Sequence, residues 1–579
     1  MRMRLLVWAA SGFSAREWNF SAIEESDNLE RNFQWLLEKI HKERPYEAIL
    51  VLQDPSIQDV FLGDVNTPKL IVNGENLTFN YREIFNSEIV TLFLMRRRVN
   101  GNLMALGAQI LNNLRQNRVI ILVLDVSPSA GLQILENLLK LCDGFKMTNV
   151  LLSLSGIIYQ LRPYPVYNWI PKQISNDTPY FPQHWRNMSQ KTILTYSDQT
   201  APRTVITMDT NNPQQGVIKI NGFVARLVLL FADLFNASLE WCCDFAFGNV
   251  TPYNRINYMV DMKQLDIPMT LDPVVNGNFV YRSQVYDLGK AFLMVPCSRP
   301  YSLHEITGML LNRNFCGYIF LCGFMFTAVH SLADYYMDGE FHWRNILINE
   351  RILPGVLALT TEPKNSPWLV FKLIYVLLFL AGLNISAQFS ARLNTLFTRP
   401  PQHREIETFQ DIEDSPLQIL VDSLEAKAME HVIQPIADSL VYTNQTSLYL
   451  QMRRDLNTSY GYAVNSAVWN MLNRKQDHMS HKLFCTSKQL TLLPFIHWTI
   501  RLQENSEYKE PLDYLILRVH ELGLMKAWHG STFVDMLKVK EIRLMESKQK
   551  AELYVLKEGD LLWIWLFEIA GLVAGLMLT

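Results

Sequence analysis

The side chains best spaced for chemistry in this chain are asparagines awaiting modification, not catalytic groups. Asn-x-Ser/Thr triplets begin at Asn19, Asn76, Asn176, Asn187, Asn236, Asn249, Asn444 and Asn457, each an acceptor for an N-linked glycan in the secretory lumen, and another at Asn384 lies inside an apolar run. Histidines offer less. His330 and His497 have no second ligand at helical spacing, and neither His-Glu-x-x-His nor Gly-x-Ser-x-Gly occurs, so nothing points to an enzyme. Cysteines stand at 142, 242, 243, 297, 316, 322 and 485 with no Cys-x-x-Cys pair, which argues against a metal site. Cys242, Cys243, Cys297 and Cys485 are available for disulfides outside the cell, in a pairing the sequence leaves open, while Cys316 and Cys322 read as small apolar residues of a span. No glycine fingerprint for phosphate follows a strand, so no cofactor is expected.

Elements that position these residues divide between membrane and water. Apolar runs at 315–332, 368–383 and 561–578 approach or reach the roughly 18 residues that cross a hydrocarbon core of about 30 Å as a helix. A fourth run, 352–359, rises only about 12 Å at 1.5 Å per residue. It is too short to cross, and backbone that enters a bilayer and turns back is tolerated only against protein or a water-filled cavity. The reading is a membrane block over 313–398, with a span at 315–332, a re-entrant pore loop at 343–360 and a second span at 368–391, followed by a final span at 560–579. Within the second span, Ser386 and Ser390, and Ala387 and Ala391, form two small-x-x-x-small pairs that let helix backbones approach closely. Lys372 can snorkel from its inner end, and Glu568 in the final span should face protein or a headgroup.

The remainder is α/β. With 579 residues, 49% hydrophobic, and a net charge of −3, the chain has a core to bury and no electrostatic footprint for nucleic acid. Arg2 and Arg4 before an apolar stretch make 1–15 a candidate signal peptide. Residues 16–195 alternate amphipathic and continuous apolar segments: helices at 28–42, 103–115 and 131–141, and strands at 48–53, 89–94, 118–125 and 149–154, closed by a linker at 163–182. That is the pattern of a doubly wound, mainly parallel sheet. A second α/β unit starts at 200–312 with a strand at 204–208, a helix at 222–235, and strands at 238–242, 279–281 and 291–296. It resumes at 399–558 with helices at 408–413, 424–433 and 514–527 and strands at 418–421 and 461–464. One α/β domain is thus expected to be split by the membrane block. A re-entrant topology puts 333–367 in the cytosol and both α/β portions outside, and no sequon falls in that stretch, although the flanking basic residues do not favour this orientation.

This order resembles the ionotropic glutamate receptor superfamily, and within it the divergent insect ionotropic receptors. Phe389-Ser390-Ala391-Arg392-Leu393-Asn394-Thr395-Leu396-Phe397-Thr398-Arg399-Pro400-Pro401 is similar to the family's aromatic-Ser-Ala-x-Leu-x-Ser/Thr-x-Leu/Phe-Thr-x-Pro-Pro at the outer end of the gating helix. Glu521 through Trp528 resembles the Glu-x-Gly-x-x-x-x-Trp that ends the last helix of the second half, and Gly222 through Asn236 resembles the first helix of the first half. The resemblance implies a periplasmic-binding-protein-like bilobed domain. It also implies a ligand-gated cation channel subunit of the plasma membrane, assembled as a hetero-tetramer with co-receptor subunits and opened by a small chemosensory molecule. A non-conducting or transporter-like receptor with the same clamshell is the alternative. Ser386, Ala387, Ser390 and Ala391 would form the gate, and Leu353, Pro354, Gly355 and Val356 the pore loop, with Pro354 intruding and Val356 standing where the family has a polar residue. Arg392 would repel cations if it faced the vestibule. Arg282 matches by spacing the arginine that clasps a ligand carboxylate, and Asp422, Ser423, Asn465 and Ser466 fall in the turns of the second half that complete the site. With no acidic residue near 462–466 to meet an ammonium, no glutamate response is expected.

Overall fold

The segment AILVLQ at Ala48–Gln53 is almost wholly buried, as strands covered on both faces are. The computed structural model describes residues 26–57, 67–73, 79–127, 130–172, 178–208, 218–244, 248–274, 279–298, 301, 303–310, 312–339, 349–398, 401–423, 425–426, 432–479, 481–538, 542–544, 565–566, 568–569 and 572–573. The candidate signal peptide lies outside them, as do Asn19, Asn76 and Asn176. β1 (Ala48–Gln53), β2 (Lys69–Asn73), β3 (Ile89–Arg96), β4 (Arg118–Leu124), β5 (Val150–Leu154), β6 (Ile157–Arg162) and β7 (Asn168–Pro171) form one sheet in the order 2-1-3-4-5-6-7. The first five strands run parallel and the last two antiparallel. Alternate residues feed opposite cores: Leu50 and Leu52 pack with helices Gly101–Ile110 and Gly131–Gly144, and Ile49 and Val51 with helix Ser26–Glu43. The expected linker at 163–182 in fact contains β7, because Ser155 and Gly156 turn the chain back with φ of 49° and 82°. Two positive φ values in a two-residue connection match the right-handed twist of paired strands.

The second α/β body begins before residue 200. β8 (Lys191–Thr195) pairs in parallel with β11 (Ala237–Trp241), while β9 (Val205–Met208) and β10 (Ile218–Asn221) form a hairpin. Helix Phe223–Leu234 starts beside Gly222, whose φ of 112° brings it so close to the strand that a Cβ would lie 2.2 Å from the Arg203 carbonyl oxygen. Only glycine fits there. The helix buries Phe223, Val224, Leu227, Val228 and Phe231 against Leu512, Leu515, Ile516 and Val519 of helix Lys509–Glu521, which comes from beyond the membrane block. The helix expected at 514–527 is two, Lys509–Glu521 and Leu524–Lys538, parted at Gly523 with φ 67°. The strand expected at 279–281 is a turn, with Tyr281 at φ 60°.

A second sheet joins the two halves. β12 (Asp272–Val274) and β13 (Asp287–Pro296) precede the membrane block, while β14 (Ile419–Asp422), β15 (Leu440–Thr443), β16 (Gly461–Asn465), β17 (Phe484–Cys485) and β18 (Thr491–Thr499) follow it. Its order is 12-18-13-16-14-15, with β17 also on β13. β13 is antiparallel to β16, β17 and β18, so the α/β domain is one body interrupted in sequence. The register of Val295 with Cys485 brings Cys297 to Cys485, and these two form a disulfide with a Cα–Cα distance of 5.0 Å.

Among the described residues, two helices are long and apolar enough to cross a membrane, Arg313–Asp338 and Leu369–Thr398. Of the third expected span only Trp565, Leu566, Glu568, Ile569, Leu572 and Val573 are described.

Candidate functional site

β14, β15 and β16 are mutually parallel or linked in parallel through β14, and their carboxyl ends open on one side of the sheet, where ligands of α/β folds collect. Asp422 ends β14. Thr446 opens the helix Thr446–Arg454 after β15, and Asn465 ends β16 and caps helix Ser466–Gln476 by accepting from the Val468 amide at 2.9 Å. Facing them are the turn Thr200–Arg203, Phe223, Tyr253 at the head of helix Tyr253–Asp261, and Trp498 of β18. Between the two walls is a cavity of about 190 Å³. An apolar cavity of about 150 Å³ accommodates benzene, so this one takes a molecule of roughly ten heavy atoms.

Its charged side chains are mostly matched within the protein. The Arg203 Nε lies 3.2 Å from buried Asp198, and its guanidinium sits 5.9 Å from the Trp498 ring centre. Asp198 also accepts from the Thr270 hydroxyl at 3.0 Å and the Thr200 amide at 3.1 Å, which fixes the turn. Buried Arg453 donates to the Ala463 carbonyl at 3.0 Å and the Tyr449 hydroxyl at 3.1 Å and lies 3.9 Å from Glu425. Asp422, 3% exposed, accepts from the neutral Thr446 hydroxyl at 3.2 Å, and burial followed by the neighbouring Glu425 raises its pKa.

Of the residues the sequence suggested, Asp422 and Asn465 line this cavity and the other three do not. Arg282 instead holds Asp272 through Nε and a terminal nitrogen, both at 2.7 Å. The Ser423 hydroxyl donates to the Thr443 carbonyl, and the Ser466 hydroxyl accepts from the Lys290 amide. No acid lies near residues 462–466 along the chain, but in space Asp422 and Glu425 share the cavity with Ala463, Val464 and Asn465, which corrects the expectation that an ammonium would find no carboxylate there. No motif marks Arg203, Glu425, Arg453, Tyr253 or Trp498 as members of the site. Only Arg453, an arginine on the buried side of a helix and one turn from Tyr449, carried a local signal.

Asp287 also lines the cavity, and burial pushes its pKa up to about 6. A raised carboxyl binds more protons folded than unfolded, so its contribution to stability falls as pH rises from the ordinary aspartate range through about 6. Asp287→Asn should therefore match wild type in melting temperature near pH 4 and exceed it increasingly towards pH 7. A constant offset across that range would contradict the assignment.

The loop between the long helices has its own geometry. Near the end of Arg313–Asp338, buried His330 lies 3.1 Å from Asp334 and 3.1 Å from the Tyr375 hydroxyl, and Asn349 approaches it at 3.4 Å. Fifteen residues after Asn349, the Lys364 amide donates to that same Tyr375 hydroxyl, and its Nζ reaches Asp334 at 2.9 Å. Between them the helix Ile352–Val356 packs against Leu378 and Ile385, and a Cβ on Gly382 would lie 2.1 Å from the Gly355 carbonyl oxygen. Gly382 is seven residues beyond Tyr375, about 10 Å along the helix. The chain thus enters and leaves at one level and turns about 10 Å further on. His330, isolated in sequence, fastens both ends of the turn. Gly355 and Val356 are buried against the helices, whereas Leu353 is exposed and Pro354 half-exposed, so Val356 does not present itself where a pore-lining group was expected.

Ser386, Ala387, Ser390 and Ala391 are all exposed in the single chain, on faces that the loop and first helix leave uncovered. Arg392 places its guanidinium 5.2 Å from the Phe315 ring centre, directed towards the first helix. Among the glycan acceptors, Asn187, Asn236, Asn249 and Asn444 are exposed and Asn457 is half-buried. No protein-family model and no curated protein matches the chain.

Proposed function

We propose that the chain is a subunit of a ligand-gated cation channel in the plasma membrane, in which two lobes close on a small chemosensory molecule held in the cavity. The observation that carries this reading is the turned-back loop: Asn349 and Lys364 meet the His330–Tyr375 pair at one level while Gly355 reaches Gly382. Such backbone within a bilayer is tolerated against protein or beside a water-filled path; Gly355 and Val356 meet the helices, which leaves the Leu353–Pro354 side of the turn to face the path. A third span, the placement of the α/β domains outside the cell, and a tetramer with companion subunits complete the proposal. The exposed Ser386–Ala391 face is available for the seam between subunits.

Coupling runs through paired linkers. The Ser298 hydroxyl after β13 donates to Gln402 at 3.1 Å, and the Tyr301 amide donates to the Pro401 carbonyl at 3.0 Å. The strand leading into the first long helix and the segment leaving the second are therefore tied, and movement of the β13 lobe pulls on both. A ligand opens the pore only to the extent that it binds the closed lobes better than the open ones. Whole-cell current evoked by small molecules in cells expressing the chain with companion subunits is the test. Ala467→Phe, which fills the cavity, should abolish the response while glycan occupancy at Asn444 persists. Silence in every combination, with glycosylated chain at the surface, overturns conduction and leaves a non-conducting receptor.

A further inference from the structure

We propose that the cavity binds a small organic amine, with its ammonium between Asp422 and Glu425 and its apolar body against Tyr253, Phe223 and Trp498. This rests on the cavity being the ligand site proposed above. The cleft between two walls, open in part to solvent, marks the site, and the charges on those walls choose the ligand. Each guanidinium lining it already faces a carboxylate, Arg203 with Asp198 at 3.2 Å and Arg453 with Glu425 at 3.9 Å. A ligand carboxylate would have to displace one of these pairs, and neither acid has another cation within the same set of contacts. Two further acids, Asp422 and Asp287, line the cavity without an ion pair among the described residues; the Thr446 hydroxyl is the side-chain hydrogen-bond partner of Asp422, while Arg453 acts on Asp422 and His520 on Asp287 only at longer range. The balance is negative, so a cation relieves the charge that burial makes costly. The same burial, followed by Asp272 and Glu425, raises the pKa of Tyr253, which keeps its ring a neutral phenol. Tyr253, Phe223 and Trp498 line the same cavity and give the apolar body of the ligand its surface. The volume of about 190 Å³ limits the ligand to one ring or a short chain beside the amine.

The test uses purified full-length chain in lipid nanodiscs, with 2-phenylethylamine, 2-phenylethanol and 3-phenylpropanoate as probes and tryptophan fluorescence and melting temperature as readouts. 2-Phenylethylamine should bind and stabilise, the alcohol and the acid should bind at least about tenfold more weakly, and Asp422→Asn and Glu425→Gln should each weaken the amine about tenfold. Ala467→Phe and, on the opposite wall, Thr200→Phe should block it. If the alcohol or acid binds as well as the amine and the filling variants block it, the amine inference fails while the cavity stands. Amine binding that survives both filling variants overturns the location and with it the proposed ligand site. No binding of any amine overturns the inference, and should an Asp422 or Glu425 variant not fold, the ranking of the three probes on wild type decides.

Discussion

Gly382→Ala should unseat the loop between the long helices, and Gly382→Val should do so completely. A Cβ there meets backbone, the Gly355 carbonyl oxygen at 2.1 Å and the Ala358 amide nitrogen at 3.3 Å, so no side-chain rotation relieves the clash. Overpacking of this kind costs about 1–3 kcal/mol, and a contact with main chain falls at the upper end. Gly317→Ala and Gly323→Ala on the first long helix are the controls, because a Cβ at either meets nothing within 4 Å in the single chain. The measurement is thermal unfolding in detergent together with maleimide labelling of a cysteine placed at Thr360. The expected result is a lower melting temperature and faster labelling for the Gly382 variants alone. Equal behaviour of all four variants would show that the loop does not lie against this helix.

How much of this was written in the sequence differs by element, for physical reasons. β1, β3, β4 and β5 are continuous apolar runs buried on both faces, and such runs announce themselves. β6 and β7, at one end of the sheet, are half-exposed strands with mixed residues, and β7, the edge strand, carries Pro171 at its end. The two long apolar helices and the short run between them were legible because length alone separates them. Its fastening was not, since His330, Asn349, Lys364 and Tyr375 lie far apart in the chain and meet only when two helices pack.

The cavity shows the same limit more sharply. Spacing drew attention to Arg282, yet an arginine acts on whatever carboxylate the fold brings to it, and Asp272 takes it. Asp422 and Asn465 were found because both end strands, where turns expose side chains at the sheet's carboxyl edge. Glu425 and Arg453 come from outside those turns, and their place beside Ala463 depends on the parallel register of β14 with β16. The pairing of Cys297 with Cys485 likewise follows from β13 lying beside β17, a contact across 188 residues.

Arg453 carries the second large effect, and its size depends on a rearrangement that a contact list alone would miss. In wild type the Ala463 carbonyl accepts from Arg453 at 3.0 Å and also lies 3.3 Å from the Tyr449 hydroxyl, which in turn donates to Glu425 at 3.1 Å. Arg453→Met removes one donor, after which Tyr449 can turn its proton to Ala463 and leave Glu425 to water, since that carboxylate is 37% exposed. A buried acceptor left unpaired costs about 1–3 kcal/mol, and this relief should hold the single variant near about 2 kcal/mol. Tyr449→Phe alone keeps the arginine bond and should cost less. Together, Arg453→Met and Tyr449→Phe strip the Ala463 carbonyl of both side-chain donors, so the double variant should lose at least about 0.5 kcal/mol more than the sum of the singles. Denaturant unfolding of the four proteins, followed by tryptophan fluorescence, measures the coupling. Strict additivity would mean that Tyr449 does not take over from Arg453, and that the wall of the cavity is held by the guanidinium alone.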